Sequence, residues 1–113
     1  MPTLTALTLI CTSPARTASF YRQLGVNVIE PTAGDPAYHL HLGPVLVQLW
    51  QASALHPATR IGITLTVVPE ILDRFPDAEP VTPRGCAAVV DPDGNRVLLT
   101  ASRDVGEVVG DII

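Results

Sequence analysis

Hydrophobic and polar positions change period several times along the chain, and each change marks an element. Leu4 to Thr12 is β-branched and apolar and reads as a buried strand. Ser13-Pro14 then supplies an N-cap and a first helical residue. The helix that follows places Ala18, Tyr21 and Leu24 on one stripe with Phe20 beside it, and Gly25 ends it. Val26 to Glu30 is a short strand, Pro31 to Pro36 a turn-rich loop, and Tyr38 to Leu42 and Val45 to Gln51 two strands around Gly43-Pro44. After a loop from Ala52 to Thr59 the order begins again. Ile61 to Val67 is a strand with alternating Thr64 and Thr66, and Pro69 to Phe75 a short helix broken by Pro76. Glu79 to Thr82 reads as an edge strand limited by its prolines. Cys86 to Val90 and Arg96 to Ala101 are strands joined by the strong turn Asp91-Pro92-Asp93-Gly94-Asn95. The pattern predicts two β-α-β-β-β units of about 50 residues each, a repeat of architecture with little residue identity. Val105, Val108, Val109, Ile112 and Ile113 then recur at helical spacing, weakened by Gly106 and Gly110.

Length and composition narrow the class. A chain of 113 residues fits one domain, taken as 1–113, with module one at about 1–52, module two at about 60–102 and a tail at 103–113. An apolar content of 47% suits a packed core. No apolar run approaches the ~20 residues of a membrane helix, and no basic segment precedes an apolar one at the start, so a cytoplasmic protein without a membrane partner is expected. The net charge is −4, and all seven basic residues are arginines scattered from Arg16 to Arg103. A nucleic-acid partner is not expected of such a distribution. Cys11 and Cys86 lie in apolar strands and read as two buried free thiols, without zinc spacing or an activating neighbour.

Three segments carry a family resemblance. "ASFYRQLGV" (Ala18 to Val26), "LHLGPVLVQLWQ" (Leu40 to Gln51) and "DPDGNRVLLT" (Asp91 to Thr100) together resemble the glyoxalase/bleomycin-resistance, or vicinal oxygen chelate, superfamily over about 100 residues. The resemblance implies an α+β fold, in which two β-α-β-β-β modules form a curved mixed sheet around a cleft with the helices outside. Metal-dependent members hold their ion with His, Gln or Glu from strands facing that cleft. At the matching positions stand Ala6, Gln48, Gly62 and Leu98. Three of these four side chains cannot bind a metal, and Gln48 alone is no site. No metal and no cofactor are therefore expected.

The Tyr38–Gln51 hairpin defines a candidate site. A turn at Gly43-Pro44 sets His41 opposite Leu46 and His39 opposite Gln48, and opposed residues share a face. His39, His41, Leu46, Gln48 and Trp50 then lie on one face, and Leu40, Leu42, Val47 and Leu49 on the other. The second set is wholly apolar and suits packing beneath helices. The first combines two imidazoles, an amide and the only tryptophan, and unpartnered polar groups are costly in a dry core at ~1–3 kcal/mol each. Against a ligand pocket stands a core or rim role for these groups. His39-Leu40-His41 as a chelate lacks a third ligand. His56 is expected in solvent, and Asp91 and Asp93 are turn residues with too few oxygens for calcium. The serines lack a nucleophile elbow, and phosphate-cradling glycine motifs are absent.

These readings favour a metal-independent binding protein that sequesters or carries a partly aromatic small molecule. The second reading is an enzyme using His39 or His41 as acid or base, and the third a degenerate structural module. A homodimer of about twice the 12.0 kDa chain is expected, because module two looks thin and leaves apolar surface uncovered.

Overall fold

The computed structural model describes residues 2–81 and 86–101. Its elements run β1 (Ala6–Cys11), α1 (Pro14–Gln23), β2 (Asn27–Ile29), β3 (Tyr38–Leu42), β4 (Val45–Gln51), β5 (Gly62–Val67), α2 (Pro69–Leu72), β6 (Glu79–Val81), β7 (Cys86–Val90) and β8 (Arg96–Ala101). Two four-stranded mixed sheets form, in the orders β1-β4-β3-β2 and β5-β8-β7-β6. In each, the first strand of the module pairs parallel to the last, and the other pairings are antiparallel. This is the repeated β-α-β-β-β order that the sequence pattern predicts. The apolar stripe expected from Val105 to Ile113 lies outside the described residues.

The elements are shorter at their ends than the pattern suggests. β1 begins at Ala6 rather than Leu4, β2 spans only three residues, and α2 stops at Leu72. Leu4 is 61% exposed, so apolar character alone did not recruit it to the strand. Ser13 caps α1 by accepting from the Arg16 N–H at 3.4 Å. Gly25 ends the helix at φ +87°, and a Cβ there would stand 3.4 Å from Ile71 of module two.

One core serves both modules. Leu9, Cys11, Leu40, Val47 and Leu49 from the first sheet and Ala18, Tyr21 and Leu24 from α1 and its end pack in the same cluster as Val67, Ile71, Val97 and Leu99. Each fully buried leucine contributes about 1.5–3 kcal/mol. The helix-bearing faces of the two sheets thus share a single interior. Cys11 is buried as expected, but Cys86 is only half-buried, which corrects the reading of two buried thiols. The reason is positional: Cys86 opens β7 and pairs across to Thr100, away from the apolar cluster.

A polar latch crosses that interior. Asp91 is buried and its carboxylate accepts from the Tyr21 hydroxyl (2.9 Å), the Asn95 side chain (2.7 Å) and the backbone N–H groups of Asp93 and Asn95 (both 2.9 Å). Asn95 in turn accepts from the Ile61 N–H at 2.7 Å, and Asp93 accepts from the Thr12 N–H and the Thr17 hydroxyl. The Asp91–Asn95 segment is therefore a turn, as predicted, and also the joint between modules. Burial first, and then the Asp91 carboxylate, push the Tyr21 hydroxyl above the ordinary phenol range. Burial also pushes the Cys11 thiol up to about 11, opposed by the Thr17 hydroxyl and aided by Asp93 and Asp91. A thiol held protonated in this way is a poor nucleophile.

Candidate functional site

The hairpin register is the one that its Gly43-Pro44 turn dictates: His41 pairs with Leu46, His39 with Gln48, and Tyr38 with Leu49. Leu40, Val47 and Leu49 consequently point into the core, at 0%, 3% and 1% exposure. His39, His41, Leu46, Gln48 and Trp50 share the opposite face, which no helix among the described residues covers. Neighbouring strands extend it. Ala6, Thr8 and Ile10 pair with Leu46, Gln48 and Trp50, while Asn27 and Ile29 pair with His41 and His39. Half of one sheet is thus an open, mixed face, because side chains alternate and the apolar set has been drawn to the core.

Two contacts organise this face. The Trp50 indole Nε1 donates to Gln48 Oε1 at 3.1 Å, which fixes the ring relative to the amide and leaves the Gln48 amide N–H groups as free donors. Trp50 is 42% exposed and also borders an open cavity of about 380 Å3 on the helix side of the sheet, lined by Pro36, Tyr38, Leu49 and the first turn of α1 and by none of the other four face residues. His39 Nε2 stands 2.9 Å from Asp35 Oδ2, but the carboxylate lies off the ring N–H direction, so this buried nitrogen has no aligned hydrogen bond. His41 is exposed on the same face, beside the Gly43-Pro44 turn, and His56 is exposed in its loop as expected.

Asp35 is the residue that sequence reading missed. It lies in the loop before β3, four positions ahead of His39, where the sequence shows only turn chemistry. Its placement depends on a local closure, Thr32 and Asp35 exchanging two backbone hydrogen bonds, which no periodicity reveals.

The second sheet has an equivalent open face. Thr64 pairs with Leu98, and Thr66 with Thr100, whose hydroxyls lie 3.1 Å apart. Cys86 lies beside Thr100 on β7. All four positions matching the family's metal ligands fall on the open faces: Ala6 and Gln48 on the first, Gly62 and Leu98 on the second. Methyl, amide, hydrogen and isobutyl groups do not make a metal site. Among the described residues, no group of three His, Cys, Asp or Glu side chains gathers to hold an ion.

No family model and no curated protein matches the sequence. Solved structures do match. An antibiotic-binding protein from a Streptomyces species is 17% identical with a TM-score of 0.68, covering 91% of this chain and 98% of its own. A glyoxalase/bleomycin resistance protein from Streptomyces is 18% identical with a TM-score of 0.63, covering 87% and 99%. The chain has the vicinal oxygen chelate fold. The fosfomycin resistance protein FosX of Mesorhizobium loti, 13% identical with a TM-score of 0.65, aligns over 96% of this chain and 98% of its own. At these identities the vicinal oxygen chelate likeness is one of backbone, and the chemistry must be argued from the open faces themselves.

Proposed function

We propose that this chain is a metal-independent small-molecule binding protein, which sequesters or carries a partly aromatic ligand on the face bearing His39, His41, Leu46, Gln48 and Trp50. The observation that carries the reading is the division of one hairpin. Its inward set is wholly apolar and buried or half-buried, whereas its outward set holds an indole, an amide and two imidazoles that no helix among the described residues covers. A flat ligand stacked on Trp50 gains ~0.5–1.5 kcal/mol beyond its buried area. Gln48 and the histidines then orient its polar groups. Resistance and antibiotic-binding names among the structural neighbours fit a protein that captures small molecules.

We further propose a homodimer. Each open face forms one wall, and a second copy would supply an opposing wall, enclosing the ligand between subunits. Light scattering should give about 24 kDa, twice the 12.0 kDa chain, whereas 12 kDa at micromolar concentration contradicts the dimer. Both thiols are free, which suits a reducing compartment such as the cytoplasm. A second reading, catalysis by a histidine, is favoured by one observation: the Asp35 carboxylate beside His39 resembles the orienting acid of a general base.

A thermal-shift screen of planar aromatic compounds tests the binding proposal. A ligand at 100 times its Kd stabilises the fold by about 2.7 kcal/mol. Saturable stabilisation by aromatic compounds is the expected result. A screen in which only divalent metals raise the melting temperature would overturn the proposal.

A further inference from the structure

We infer that the ligand of the open face carries a weakly acidic hydroxyl on its planar ring, a phenol or enol, and that the Asp35–His39 pair takes up the proton. The inference rests on the binding proposal above and names the chemical class that the face would select.

Asp35 is held at both ends. Its Oδ1 accepts the Ala37 N–H at 3.1 Å, its backbone is bridged to Thr32 at 2.9 and 3.2 Å, and its Oδ2 faces His39 Nε2 at 2.9 Å. The carboxylate is thus tied beside the imidazole, with about half of its side-chain surface in solvent. His39 Nε2 is buried without an aligned partner, so a slight turn of the ring that donates Nε2–H to Asp35 satisfies it. That tautomer leaves Nδ1 as the basic nitrogen.

The charges around His39 are few. β2 offers Ile29 opposite it, β4 offers Gln48, and its own strand offers His41 two residues on. Glu30, just past β2, pairs with Arg22 at 3.6 Å. The described positions of this face include no Lys, Arg or Glu, so Asp35 is the fixed charge nearest the imidazole. Gln48 has its oxygen engaged by Trp50, which leaves its amide N–H groups as the donors it can offer a ligand. An imidazolium, amide donors and an indole plane together fit a flat ring bearing an oxyanion. An ether or a simple hydrocarbon leaves those donors unused.

The step balances without an oxidant or co-reactant. The O–H bond of the ligand breaks and an N–H bond forms at His39 Nδ1. The imidazolium then lies between the Asp35 carboxylate and the ligand oxyanion, and the electron pair of the broken bond stays on oxygen. An opposite charge within about 4–6 Å lowers an acid's pKa by about 1–3 units, so a hydroxyl bound that close to the imidazolium becomes at least about tenfold more acidic than the free one.

4-Nitrophenol tests this, because its phenolate absorbs in the visible. In excess wild-type protein its ionisation midpoint should fall by about one pH unit or more. In Asp35→Asn the preference of the site for 4-nitrophenol over 4-nitroanisole, which has no proton to give, should fall about tenfold. His39→Gln should do the same, and it stands in if Asp35→Asn does not fold. Binding of both compounds with no shift of the midpoint overturns the inference while sparing the binding site. A preference unchanged in both variants also overturns it. If neither these compounds nor any other aromatic molecule binds, the binding proposal fails and the inference fails with it.

Discussion

Replacing Tyr21 by Phe removes one oxygen from the joint between the modules and leaves the rest of the side chain in place. The ring keeps its edge-to-face contact with Phe20, at 5.1 Å between centroids and 88° between planes. What is lost is a 2.9 Å bond to a buried carboxylate, one of the four that Asp91 accepts. Hydrogen bonds to charged groups are worth about 1.5–3 kcal/mol, and neither partner can turn to bulk water, since Tyr21 is fully buried and Asp91 is 4% exposed. Tyr21→Phe should therefore lower the unfolding free energy by about 1.5–3 kcal/mol, or the melting temperature by roughly 5–12 °C for a domain of this size. A pH series adds a second signature. The folded-state pKa of Tyr21 is raised above its ordinary 10.0, so its contribution is complete below pH 10 and declines above it, as the unfolded phenol ionises. Urea midpoints of wild type should fall above that pH more steeply than those of Tyr21→Phe. A loss under about 0.5 kcal/mol at neutral pH, with parallel alkaline limbs, would refute the latch.

Other outcomes follow from the same packing. Cys11, raised from 9.0 to about 11, contributes stability that is complete below pH 9 and lost between pH 9 and 11; Cys11→Ala should flatten that part of the alkaline decline in a urea series. Leu49→Ala should cost ~2–5 kcal/mol in chemical denaturation, because Leu49 is 1% exposed in the shared core. EDTA should leave the melting temperature unchanged; a drop of several degrees, restored by zinc, nickel, iron or manganese, would contradict the reading of Ala6, Gly62 and Leu98 as non-ligands.

The fold was legible because its signals are local and repeated. Ser13-Pro14 and Gly25 bracket α1, and Gly43-Pro44 sets the register on which the whole candidate face depends. The parity of His39, Gln48 and Trp50 followed from that turn alone. What was not legible required tertiary contact. Asp91 reads as turn chemistry, and nothing beside it in sequence announces that Tyr21, 70 residues away, reaches its carboxylate. Asp35 is hidden for a related reason, since a loop closure rather than a strand period brings it to His39. The strand end at Leu4 extended too far because that leucine stays exposed, and the helix end at Phe75 because the chain past Leu72 tightens into turns bonded three residues apart while Phe75 packs on Phe20. Cys86 shows the same limit in burial: an apolar strand context does not say which end of the strand lies under the core.

Trp50 gives the most direct test, as it is the only indole in the chain and it stands on the proposed face. Titration of its emission with planar aromatic compounds, hydroxylated ones included, should show saturable quenching or a spectral shift at micromolar concentration. By calorimetry Trp50→Ala should weaken binding of the same compound by ~2 kcal/mol or more, through lost stacking and lost apolar area. Emission that no aromatic compound alters saturably, or affinity that survives Trp50→Ala intact, would contradict the account.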